Sequence, residues 1–297
     1  MSFEGFNVIA CVPAGRRRVM DPLLKHLRVN SHLIDRVHLW QNTDNADDLE
    51  WMRKQADDYV HLIPLDYDEP PRIPKQLNTG RFYQYATDPD TVYIRFDDDI
   101  VWIAPDAIES LLRLRLEQRD PFVVFATIWN NAVISSIAQE LGIINGSYGH
   151  VDRYCMDPVG WKDPEFGEYV HRTLLMAIEA GTVDQLKFGH TSAVRVPQGN
   201  RPLPSPLRFS VSCFVWFGSD MALVADELWA AEEEQFISGT YPDRTGRFNL
   251  IAGDALVSHY SFFTQRAHLD TTDILTQYQD LADNAYHDAY YRLLGES

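Results

Sequence analysis

What this chain has little of already removes several classes of protein. Cysteine occurs three times in 297 residues, at Cys11, Cys155 and Cys213. Positions so far apart, and odd in number, fit neither a disulfide framework nor a structural zinc site, and they favour a reducing compartment. No run approaches the ~18 apolar residues of a transmembrane helix, and no basic-then-apolar leader opens the chain. The expectation is therefore a soluble, cytoplasmic protein with no integral membrane segment. Basic residues are few as well, 26 against 43 acidic, for a formal charge of −17. Such a surface repels nucleic-acid backbones and anionic membranes, so a nucleic-acid partner is the less expected one. Neither a G-x-G-x-x-G nor a Walker A pattern is present, and there is no internal repeat or low-complexity linker.

What is there is core material and an alternating pattern. The chain is 45% apolar and 12% aromatic, enough for one large α/β domain. Residues 6–12 read as a buried strand, broken by Pro13-Ala14-Gly15 and followed at once by Arg16, Arg17 and Arg18. Asp21-Pro22 marks a helix start, with Leu23, Leu24 and Leu27 facing inward. Strands over 37–40 and 59–64 flank a helix over 47–57. This alternation predicts a Rossmann-like, mainly parallel sheet flanked by helices. In such sheets ligands sit at the carboxyl ends of the strands, here the loops 13–18, 41–45 and 97–99.

The stretch 91–103 holds the most pointed chemistry. Val92, Tyr93, Ile94 and Phe96 form a strand pattern, Asp97, Asp98 and Asp99 follow directly, and Ile100 to Ile103 resume the apolar run. Three adjacent carboxylates at the end of a core strand demand a positive partner, and a hard divalent cation prefers such oxygens. On an extended strand Asp97 and Asp99 would face one way and Asp98 the other. A helix over 75–86 carries Lys75, Asn78 and Arg81 at spacings of three, a cationic face leading into the acidic strand. Further helices are predicted over 105–118 and 163–180, and strands over 121–129 and 209–217. Tyr148, His150, Tyr154 and Trp161 are candidates for an acceptor platform in a helical insertion spanning 145–205. Residues 271–297 read as two C-terminal helices packed on a domain of residues 1–270.

Taken in order, these pieces resemble the metal-dependent glycosyltransferases of the GT-A fold. The likeness rests on Pro13-Ala14-Gly15-Arg16 after the first strand, Lys75-x-x-Asn78-x-Gly80-Arg81, Asp97-x-Asp99, Glu233-Glu234-Gln235-Phe236-Ile237-Ser238, and His259. The resemblance implies transfer of a sugar from a nucleotide-diphosphate donor to a saccharide or glycolipid hydroxyl. Mn²⁺ or Mg²⁺ would be held by Asp97, Asp99 and His259. It further implies that Pro13, Gly15, Arg16, Lys75, Asn78, Arg81, Asp97 and Asp98 meet the donor. Glu234, with Glu233 beside it and Asp254 as second choice, would be the base of an inverting reaction. Two rivals stand beside this: a nucleotidyltransferase acting on a sugar phosphate, and a non-catalytic, cation-dependent glycan-binding module.

Overall fold

The computed structural model describes residues 3–65, 75–188, 193–195 and 208–294. Among these, nine strands form one mixed sheet. The strands are β1 (Asn7–Ala14), β2 (Arg36–Gln41), β3 (Val60–Ile63), β4 (Thr91–Phe96), β5 (Ile100–Ile103), β6 (Val124–Trp129), β7 (Ala193–Arg195), β8 (Cys213–Phe217) and β9 (Leu250–His259). Their order is β3-β2-β1-β4-β8-β6-β9-β5, with β7 pairing β9. The first four run parallel. β8 inserts antiparallel between β4 and β6, and β9 is parallel to β6 but antiparallel to β5 and β7. β4, β6 and β8 are buried at every residue, as the apolar and β-branched runs of β6 and β8 require for strands covered on both faces; β4 keeps the pattern except at Arg95.

One short link shapes the sheet. β4 and β5 are separated only by Asp97, Asp98 and Asp99, yet they lie four strand positions apart. In a flat sheet that separation would be ~19 Å, whereas the four residue steps from Phe96 to Ile100 reach at most ~14 Å. The sheet therefore curls until β5 returns towards β4. The Ile100 N–H donates to the Asp97 carbonyl, closing a turn, while Asp97 N–H donates to Ser212 O and Tyr260 N–H to Asp99 O. The three aspartates thus stand on a pinned turn rather than on an extended strand.

Helices cover the sheet: α1 (Arg17–Val29), α2 (Ala46–Gln55), α3 (Ala107–Glu117), α4 (Ala132–Glu140) and α5 (Pro164–Glu179). Asn45, Asn131 and Asp163 cap α2, α4 and α5 through side-chain oxygens that accept from the first-turn N–H groups. α1 begins at Arg17, before the expected Asp21, and contains Pro22. Proline there deprives the Arg18 carbonyl of its helical partner. Gln279 Nε2, on the C-terminal helix, donates to that carbonyl at 3.3 Å. Residues 274–294 form one helix, Ile274–Leu294, where two were expected, and it packs on α1. No helix among the described residues is long and apolar enough to cross a membrane.

Residues Lys75–Tyr85 form a tight three-residue-per-turn helix against the helix Ala225–Ala230. Gly80 makes this approach possible, because a β-carbon there would come within 2.3 Å of the Leu228 carbonyl oxygen. Gly80→Ala should accordingly cost ~1–3 kcal/mol through overpacking against backbone. Denaturant titration of the variant beside the wild type measures the loss, and an unchanged midpoint would show that the contact has slack.

Candidate active site

The cleft opens where the sheet's connections reverse: β1 leads outward through β2 and β3, and the chain then crosses to β4 on the other side. Ligand sites in α/β sheets form at such switch points. The opening encloses about 550 Å³ and is bordered by the loop after β1, the acidic turn, and residues 231–234. Asn42, Thr79 and Arg266 complete its walls.

The acidic turn forms its floor. Asp98 and Asp99 are almost fully buried, at 4% and 3% exposure. Both turn to Arg16, contrary to the expected alternation. Arg16 Nε donates to Asp98 Oδ1 at 2.9 Å, a second guanidinium nitrogen joins the same carboxylate, and Nη1 lies 3.0 Å from Asp99 Oδ2. The Gly15 N–H adds a donor to Asp98 Oδ2 at 3.0 Å. His259 Nε2 sits 3.5 Å from Asp99 Oδ2, and Arg266 Nη2 sits 3.9 Å from the same atom. Burial would raise the Asp99 pKa, but Arg16, His259 and Arg266 outweigh it and hold the carboxyl low. Asp98 is raised, because burial and the repulsion of Asp99 and Asp97 exceed the pull of Arg16. Burial likewise opposes the charged form of His259, and the Asp99 carboxylate reverses this and raises its pKa.

Asp97 points elsewhere. It accepts from Arg95 Nε at 3.1 Å and pairs with Arg95 Nη2 at 2.5 Å. Arg95, in the middle of the buried strand β4, also pairs with Glu233 and donates to the Tyr83 hydroxyl at 2.9 Å. Glu233 is thus tied to Arg95 and Tyr83. Glu234 faces Arg208, whose Nε lies 2.7 Å from Glu234 Oε1, and its side chain is 26% exposed. Burial pushes its pKa up to about 7, with Glu232 and Asp97 adding to the rise and Arg208 opposing it. Two adjacent glutamates therefore have different chemistry: one is an ion-pair anchor, the other titrates near neutrality.

Of the residues singled out from sequence, Pro13, Gly15, Arg16, Asp97, Asp98, Glu233 and Glu234 line the cleft. Asp99 and His259 lie directly beneath it, through their contacts with Arg16 and Arg266. Asn78 and Arg81 are buried and do not border it, and the Arg81 guanidinium stacks on Trp229 at 4.9 Å. The side chain of Lys75 falls outside the described residues. Asp254 lies in an irregularity of β9, where the register with β6 jumps between Ala252 and Leu256, and it too is absent from the walls. The aromatic platform is not assembled at the cleft: Tyr148 stacks on Tyr169 at 4.9 Å, and Trp161 meets Phe263 edge-on at 5.2 Å. Arg95, Arg208 and Arg266 were not singled out. For Arg95 a signal existed, because an arginine inside a fully apolar strand has to be paired. For Arg208 and Arg266 no spacing pointed to the cleft.

The expected metal set does not fit this arrangement. Asp97 is turned to Arg95, while Asp99 is engaged by Arg16 and has His259 Nε2 3.5 Å away, so Asp97 does not converge with the other two. Among the described residues no group of three or more His, Cys, Asp or Glu side chains is placed to hold a metal ion. Asp99 Oδ1 is among the buried side-chain atoms without a hydrogen-bond partner.

A second network supports His259. Asn130, at the end of β6, adopts φ 61°, a left-handed conformation that asparagine tolerates better than most residues. Its carbonyl lies 3.4 Å from His259 Nδ1, and its side-chain nitrogen donates to Tyr260 O at 3.1 Å and Gln265 Oε1 at 3.0 Å.

The raised Glu234 pKa has a stability consequence. Between the ordinary carboxyl value near 4.5 and about 7 the folded chain holds a proton that the unfolded chain releases. Stability therefore falls as pH rises through that window. Glu234→Gln should flatten this part of the curve, read as the melting temperature between pH 4.5 and 7.5, and an unaltered slope would place the titration elsewhere.

No family model matches the sequence, and no curated protein matches it. Solved structures that align with the chain include a 4-diphosphocytidyl-2C-methyl-D-erythritol synthase from Anaerococcus prevotii. It is 11% identical, with 94% of this chain and 97% of that one covered, at a TM-score of 0.43. Another is a CMP:2-keto-3-deoxy-manno-octonic acid synthetase complexed with CTP, 10% identical, with 92% and 99% covered, at a TM-score of 0.45. At such low identity the chemistry rests on the cleft itself. The expectation of glycosyl transfer from a nucleotide-diphosphate sugar is corrected: the two structures are named as a synthase and a synthetase, not as glycosyltransferases.

Proposed function

We propose that the cleft binds a nucleoside triphosphate and transfers its nucleotidyl group to an anionic acceptor, a sugar phosphate. The observation that carries this reading is the engagement of the acidic pair. Transfer to a neutral hydroxyl needs a free carboxylate within reach as base, but Glu233 is held by Arg95 and Tyr83, and Glu234 is paired with Arg208 at 2.7 Å. A phosphate monoester has its second pKa at about 6, so near neutrality it is already largely an anionic nucleophile and needs no such base.

In this reading an acceptor oxygen attacks the α-phosphorus. The bond from that phosphorus to the α–β bridging oxygen breaks, and the electron pair leaves with pyrophosphate. Arg266, 36% exposed in its side chain and on the cleft wall, is the guanidinium group that stabilises the leaving charge, since the three guanidinium nitrogens of Arg16 face Asp98 and Asp99. No divalent ion is assigned a step, because the carboxylates as placed do not form a site for one.

The test is incubation with each common nucleoside triphosphate and a panel of sugar phosphates, following both pyrophosphate and nucleoside diphosphate. Pyrophosphate formed only when both substrates are present is the expected result. Arg266→Ala should lower kcat/KM by roughly 10- to 100-fold, the worth of one charge-assisted contact. Formation of nucleoside diphosphate without pyrophosphate would overturn the reading.

A further inference from the structure

We propose that Arg16 is the resident cation of the acidic turn and keeps divalent metal ions out of it. The inference concerns the cleft assigned above and rests on that reading for its setting.

Every carboxylate of the turn already has a guanidinium. Arg95 takes Asp97, and Arg16 spans Asp98 and Asp99 with three nitrogens. Two carboxylates this deeply buried would be strongly destabilising if uncompensated. A compensating charge delivered by the chain itself requires no binding equilibrium. It also comes pre-positioned, because the Gly15 N–H fixes the loop to Asp98 at 3.0 Å. A divalent ion seeking Asp98 or Asp99 must first displace the fork of Arg16, a planar donor set matched to carboxylate oxygens. Removing that fork would leave Asp98 and Asp99, with His259 beside them, as oxygen and nitrogen donors around uncompensated charge. The buried Asp99 Oδ1, with no hydrogen-bond partner now, would be among them.

This has a counter-intuitive outcome: deleting a positive charge should create metal binding. Mn²⁺ titration of the nucleotide-free protein, read by the loss of the free-ion electron paramagnetic resonance signal, measures it. Wild type is expected to bind Mn²⁺ weakly, with an affinity that Asp99→Asn leaves unchanged. Arg16→Gln should tighten Mn²⁺ binding by roughly 10- to 100-fold, the worth of the displaced charge-assisted contacts. Asp99→Asn added to Arg16→Gln should abolish the gain. If Arg16→Gln does not fold by circular dichroism, Arg16→Lys, which keeps one charge but loses the fork, should give an intermediate gain. A folded variant that gains nothing overturns the proposal. So does tight wild-type binding that Asp99→Asn removes, whatever the Arg16 variants do. The titration contains no nucleotide and the pyrophosphate assay needs only wild type, so each reading can fail alone.

Discussion

Neutralisation of a buried acidic turn is the constraint on which this structure depends. Asp97, Asp98 and Asp99 lie where the sheet curls back on itself, and water cannot screen the latter two. The chain answers with side chains from four separate places: Arg16 after β1, Arg95 within β4, His259 at the end of β9, and Arg266 in the helix Phe263–Leu269. Each tie also positions a backbone element. Anchoring Arg16 sets the loop before α1, and the Arg95 pair with Glu233 draws residues 231–234 over the cleft. Electrostatic compensation and cleft construction are therefore one event.

Much of the frame was legible from residue patterns. The alternation over the first third gave parallel strands, and the loops after β1, β2 and β4 do meet at one edge. The acidic triplet, conspicuous because carboxylates seldom sit between two apolar runs without a reason, lies at the floor of the cleft. What could not be read was the identity of the counter-charge. Residue spacing reports one element's faces, whereas Arg16, Arg208 and Arg266 reach the site through tertiary placement. The face of Lys75, Asn78 and Arg81 misled for a related reason. Its three-residue spacing matches the tight helix that forms, but Gly80 brings that helix against 225–230, so Asn78 and Arg81 are buried rather than on the cleft wall. Asp254, the second choice of base, lies off the cleft wall in a register irregularity of β9, which no composition signal marks.

The adjacent glutamates show why function was harder to read than fold. Glu233 and Glu234 are chemically identical and neighbours in sequence, yet one is an anchor and the other titrates near neutrality. That division arises from Arg95 and Tyr83 on one side and partial burial on the other. An acidic pair met in sequence announces a carboxylate's presence but not whether it is free to move a proton.

The three-residue link between β4 and β5 also bears on how the molecule is made. β4 finds its second neighbour in β8, more than a hundred residues later, and β5 finds its partner among the described strands in β9, later still. Pairings so distant in sequence form late, after loop-closure entropy has been overcome. A nascent chain that has emerged only as far as β6 thus carries β4 with one open edge and an acidic turn lacking His259 and Arg266. The cleft is assembled from residues more than two hundred positions apart, from Arg16 to His259 and Arg266, and competence arrives only after the last of these has been made.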